Sequence, residues 1–261
     1  MVAPRQARVT VTAPGALGLS ALVLLTGSLA ACSGAGDTET PATPAAVANP
    51  VDPATAGGIA GRIGFMGTPP ARQTVNTASD PRCTAPVTTE AVVAGGDGAL
   101  QNVFVYVKDG LGDLVFPIPI APVVLGQEGC TYHPHVLGIQ AGQTLEIISN
   151  DDTLHNIHAV PSVNAEFNKA QQLGERQTHV FSTAEVLVPF KCDVHKWMSA
   201  YVGVVSHPFF DVTGSDGSFE LKGLPPGTYT IEAVHETLGR QTQTVTLTPK
   251  SAATISFTFT E

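Results

Sequence analysis

At 261 residues the chain has room for one or two domains with proper cores. Of its 13 Lys and Arg, two (Arg5 and Arg8) precede residue 32, as do none of its 22 Asp and Glu, leaving 11 basic against 22 acidic residues beyond that point. This balance excludes a nucleic-acid-binding surface, which selects cations, and allows a basic protein partner steered by the field.

The first element is an export signal. Arg5 and Arg8 lead into an apolar run from Val9 to Ala30, and the run closes on Leu29-Ala30-Ala31-Cys32. That close resembles the lipobox of bacterial lipoproteins, which implies that residues 1–31 are removed and Cys32 is lipidated as the first mature residue. A plain signal peptide cleaved elsewhere and a transmembrane anchor are the alternatives, but Pro14, Gly15, Gly18 and Gly27 interrupt the run, which is short for a stable span. Export sets an oxidising compartment, in which Cys83 and Cys130 are free to pair as a disulfide and Cys192 is left over. A lone thiol there invites oxidation unless a metal occupies it. Residues 32–56, rich in Ala, Thr, Pro, Gly and Asp, have nothing to bury and are expected to be a flexible linker lifting the folded part off a membrane.

From Gly57 onward short runs of Val, Ile, Thr and Phe recur between turn signals, without Leu-rich helical heptads, so the fold class is all-β. Residues 57–65 alternate apolar with small or polar side chains, as a strand with one buried face does. Residues 71–98 form a loop-rich excursion containing Cys83, with a strand expected at 90–94. A dense strand follows at 103–107, stopped by Asp109-Gly110, and residues 142–148 form another that delivers the chain to His155. A strand at 185–190 leads into Cys192-Asp193-Val194-His195-Lys196-Trp197-Met198, and one at 200–205 leaves it.

That seven-residue loop carries the chemistry. Cys192, His195 and Met198 on one hairpin connection, with His155 from a separate strand end, supply a thiolate, two imidazoles and a thioether. This is the donor set of a mononuclear type 1 copper site, trigonal with a weak axial contact from Met198. The ends of a sandwich bring such distant residues together. Cys-X-X-His alone fits half of a zinc site, but zinc has no use for Met198 and normally asks for a second cysteine pair or a carboxylate. Trp197 and Met198 are expected to form an apolar collar around an exposed His195 edge, serving as docking surface and electron port. His133-Pro134-His135 reads as exposed loop, with an accessory copper site as the alternative. No nucleophile triad, distinctive carboxylate pair or phosphate loop occurs, so no catalytic residue and no enzymatic activity are expected. The histidine-rich clusters of multicopper oxidases are missing too: one His-X-His occurs, and Lys191 precedes the cysteine.

Residues 122–205 resemble the cupredoxins, and within them the amicyanins. They share the Cys-two-residues-His-two-residues-Met spacing, the His-Asn-aliphatic-His run at 155–158, and Tyr132, Pro134 and Gly142 to Thr144. The resemblance implies a Greek-key sandwich holding one copper ion, with His155 as ligand and His158 as a neighbour. It implies that Asn156 hydrogen-bonds across to the Cys192 loop and fixes it. Lys196, Leu154 and Ala159 depart from the pattern on the rim from which electrons should pass, which puts the partner in doubt.

After Ser206, the Asp216-Gly217 hairpin and the Pro225-Pro226-Gly227 turn resemble the carboxypeptidase regulatory-like domain, a small transthyretin-like, immunoglobulin-like sandwich. That family opens with a Gly-X-Ile-X-Gly-X-Ile pattern, found here at residues 57–63. The expected organisation is therefore a small sandwich built from 57–110 and 207–261, with a cupredoxin domain at 111–206 inserted into it. Sequential domains are the alternative, decided by contacts between residues 58–65 and 229–261. The small sandwich reads as a rigid mount, or as a protein- or glycan-binding module. The functional expectation is an exported, lipid-anchored electron carrier serving redox protein partners, the alternative being a copper-handling or partner-binding surface lipoprotein without redox traffic.

Overall fold

The computed structural model describes residues 47–261; the export segment 1–31, Cys32 and the linker up to residue 46 lie outside the described residues. Sixteen strands and no helix make up the regular structure among the described residues, an all-β architecture. Alternation sets the faces: in β1 (Gly57–Phe65), Ile59, Ile63 and Phe65 turn inward while Ala60 and Arg62 are exposed.

Four sheets form two sandwiches. In the first, β1 lies between β13 (Ser218–Leu224), antiparallel to it, and β16 (Ala252–Phe259), parallel to it. The facing sheet runs β12 (Phe210–Val212), β2 (Phe104–Asp109), β14 (Gly227–His235), β15 (Gly239–Leu247). Ile59, Ile63, Val105, Ile231, Phe219 and Phe257 fill the space between. Gly61 lets Phe219 and the Ile255 carbonyl come close, since a Cβ there would collide with both.

The second sandwich has one sheet in the order β5 (Val136–Gln140), β11 (Ser199–Val205), β10 (Glu185–Lys191), β7 (His155–Ala159), β8 (Phe167–Gln171). The other is β4 (Thr131–His133), β3 (Val123–Glu128), β6 (Thr144–Ser149), β9 (Arg176–Val180). Leu125, Tyr132, Ile139, Leu145, Ile147, Ile157, Phe190 and Val202 make its core.

A third apolar cluster joins the two. Phe104, Tyr106 and Val234 on the outer face of the first sandwich pack with Val136 and Val205 on the outer face of the second. Strand β2 is thus buried on both faces, which explains its unbroken Phe-Val-Tyr-Val run. Gly138 and Gly203 give the rings room, for a Cβ on the first would run into Phe210 and one on the second into Phe104. Polar groups lie on the same face of the first sandwich. Buried Glu232 accepts from the Tyr106 hydroxyl at 2.6 Å and from Lys108 at 2.6 Å.

Three expectations need correction. Residues 90–94 form no strand; the excursion makes only isolated bridges, Thr74 to Thr88 and Ala94 to Leu100, because no neighbour runs beside it for more than one residue. The flexible linker does not reach residue 56. Val51 packs on the first core, the Asp52 carbonyl accepts from Thr55 and Ala56 N–H, and Lys250 N–H donates to the Thr55 carbonyl at 3.0 Å. His135 is buried, not exposed loop: its Nε2 meets Glu236 at 2.5 Å and its Nδ1 meets the Ser199 carbonyl at 3.1 Å.

The seam can be tested in two ways. Gly203→Ala drives a methyl into Phe104 and is expected to cost about 1–3 kcal/mol, read as a lower urea midpoint at unchanged slope. For His135, burial pushes the pKa down, but Glu236, Glu90 and the Ser199 carbonyl outweigh it and the net shift is upward. A raised folded-state pKa gives stability that is complete below about pH 6.5 and is lost as pH rises through the folded value. Urea midpoints should therefore fall across that window in the native chain and fall less in His135→Gln.

Candidate metal centre

Strand pairing sets the geometry. β7 runs antiparallel to β10 with His158 opposite Lys191, so the start of β7, His155, lies beside the loop that follows β10. That loop is Cys192 to Met198, the connection from β10 to the antiparallel β11. It is closed by Cys192 N–H to the Met198 carbonyl at 3.3 Å and Met198 N–H to the His195 carbonyl at 2.9 Å.

Three predicted ligands come together. The Cys192 Sγ and one ring nitrogen each of His155 and His195 lie within 4.8 Å of one another. The two Nδ1 atoms are 2.9 Å apart, and His195 Nδ1 is 4.0 Å from the sulfur. The His195 backbone N–H also donates to that sulfur at 3.3 Å. Met198, 1% exposed, sits in the same apolar core as Cys192.

The outer nitrogens are clamped. His155 Nε2 is 2.9 Å from Asp151 Oδ2, and His195 Nε2 is 3.1 Å from Asp80 Oδ2. An ionised carboxylate can only accept, so each Nε2 carries a hydrogen and each Nδ1 faces the cluster. Asp151 also accepts from Gly129 and Cys130 N–H at 2.7 and 2.8 Å. Burial holds the His155 pKa below its ordinary value, with Asp151 opposing. Hydrogen bonds from the Thr153 hydroxyl and Arg82 N–H hold the Asp80 carboxyl far below the usual range. The result is a buried Cys192 sulfur beside two ring nitrogens, a donor set whose chemistry fits a soft cation.

Around this set a polar frame holds the loop. The Asn156 side-chain oxygen accepts from Asp193 N–H, and its amide donates to Asn168 at 2.6 Å and to the Asp193 carboxylate at 3.1 Å. Buried Tyr132 donates to the Asn156 carbonyl at 2.6 Å. His158 turns away from the set to Asp193 and Glu166, each at 2.8 Å, and these acids raise its pKa.

The exposed electron port is not there. His195 is 2% exposed, because the excursion at 71–98 folds over it, bringing Asp80 to its Nε2. The Cys83–Cys130 disulfide staples this excursion to the second sandwich. Trp197 stacks obliquely on His195 at 5.1 Å and donates its indole N–H to the Cys130 carbonyl, so its polar end faces protein. Sequence reasoning missed Asp80 entirely. Its one legible signal was nearness to Cys83, whose pairing with Cys130 brings that loop to the site.

Parts of the chain are similar to known proteins. Residues 202–260 match the family model of the carboxypeptidase regulatory-like domain. No curated protein matches the chain. Among solved structures, it is similar to a copper-containing nitrite reductase (NirK) from Thermus scotoductus SA-01, at 21% identity and TM-score 0.31, over 38% of this chain and 26% of that one. A mutant amicyanin in its reduced Cu(I) form at pH 4 matches at 21% identity and TM-score 0.30, over 33% of this chain and 85% of its own. A purple cupredoxin from Nitrosopumilus maritimus matches at 24% identity and TM-score 0.28, over 32% of this chain and 98% of its own.

Proposed function

We propose that this chain is a type 1 copper protein that carries single electrons between extracytoplasmic redox proteins. The observation that carries the reading is the buried cluster of Cys192 Sγ with the Nδ1 atoms of His155 and His195, each imidazole tied by a carboxylate on its far side. His155, His195, Cys192 and Met198 would hold the ion. Copper in that set supplies a one-electron change between cupric and cuprous states. The residues of the chain contribute rigidity. Asp151, Asn156 and Tyr132 fix the imidazole and the loop, and the closed apolar surroundings exclude water.

The chain is exported and lipid-anchored at Cys32 on the outer side of a bacterial membrane. Its cupredoxin-like sandwich, residues 111–206, is inserted into a small carboxypeptidase regulatory-like sandwich that serves as a mount. Pairing of β1 with β13 and β16 supports that arrangement. No catalytic step is assigned. A second reading, copper handling without redox traffic, draws on one observation: the cover over His195 leaves no bare imidazole edge for a partner.

Absorption spectra on copper addition test the proposal. Native protein should show an intense visible sulfur-to-copper charge-transfer band and reversible one-electron voltammetry, and Cys192→Ser should lose the band entirely. A band surviving in Cys192→Ser would sink the ligand assignment. Colourless protein that takes up only cuprous ion would favour the second reading.

A further inference from the structure

The excursion at 71–98 lies outside the stretch that resembles cupredoxins, yet one of its side chains reaches the metal cluster. Asp80 Oδ2 accepts from His195 Nε2–H at 3.1 Å and also from the Thr153 hydroxyl, two residues before His155. Its Oδ1 accepts from Arg82 N–H at 2.9 Å. The backbone around it is set by Asp80 N–H to the Thr77 carbonyl at 3.0 Å and Cys83 N–H to the Asp80 carbonyl at 3.1 Å. Cys83 is in turn locked to Cys130, and those sulfurs lie within 4.8 Å of a His195 ring nitrogen. Asp80 is therefore held rigidly between its own loop, the segment before His155 and the metal loop. It is placed there both as an acceptor at the Nε2 of His195 and as a carboxylate one imidazole away from the donor set, with the largely exposed Arg82 guanidinium 3.4 Å from its Oδ1.

We infer that Asp80 is a positioning residue of the copper site, holding His195 with Nδ1 bare toward the metal and biasing the bound ion toward its cupric state. This rests on the copper reading above. A carboxylate stabilises the higher charge more, and it does so strongly where solvent is excluded. The effect is expected to be a roughly tenfold change in the cupric-to-cuprous affinity ratio, about 59 mV for one electron.

Two variants separate the parts. Asp80→Asn keeps an oxygen acceptor and removes the charge; Asp80→Ala removes both. In apo protein, nitrogen-15 spectra of the histidine rings should report His195 as the Nε2–H tautomer in the native chain and in Asp80→Asn, and as a mixture in Asp80→Ala. With copper bound, both variants should keep the charge-transfer band and show a midpoint potential raised by about 59 mV. Thr153→Val, which removes the other partner of Oδ2, should leave the tautomer unchanged. A native His195 protonated on Nδ1 would overturn the inference, as would an Asp80→Ala protein with native tautomer and potential. If the chain binds no copper at all, the copper reading fails, and the inference about the bound ion fails with it, while the apo tautomer still tells whether Asp80 positions His195.

Discussion

Two carboxylates hold two imidazoles from behind, and the rest of the site is built on those contacts. Asp151 fixes the His155 ring and Asp80 the His195 ring, so that their Nδ1 atoms lie 2.9 Å apart beside the Cys192 sulfur. The clamps are themselves held, Asp151 by two backbone N–H groups of the Gly129–Cys130 turn and Asp80 by its own tight turn. The disulfide then ties the two clamping segments to each other. A rigid, preformed donor set follows, which suits an ion that must change charge while its surroundings stay put.

Rigidity extends beyond the site. β5 and β11 each bury one face in the core that contains Cys192 and Met198 and the other against Phe104 and Tyr106 of the neighbouring sandwich. His135, joined to Glu236 of the small sandwich, also meets the carbonyl of Ser199, the residue after Met198. Contacts that look remote from the metal loop therefore end on its C-terminal stem.

How much of this is legible in the sequence depends on whether the signal is local. β1, β6 and β10 are readable because alternation and turn residues are properties of a few adjacent positions. The donor residues are readable because Cys192, His195 and Met198 fall on one loop and copper chemistry demands that mixture. His155 is less local, since no spacing links it to residue 192; its place at a strand end and the resemblance together point to it. What stays hidden is set by long-range packing: Asp80 lies 115 residues from His195. The burial of His135 is hidden likewise, because its partner Glu236 comes from a strand end of the other sandwich. An excursion rich in Thr, Ala and Gly reads as surface loop whether it hangs free or covers the Cys192 loop.

The parallel pairing of β1 with β16 bears on how the molecule is made. Residues 58–65 have no lasting partner on that side until 252–259 arrive, nearly two hundred positions later. The second sandwich, whose strands all fall between 123 and 205, needs nothing from either end to pair its own strands. Assembly should accordingly run from the middle outward, the early strand waiting while the interior condenses, and the last strand acting as the latch.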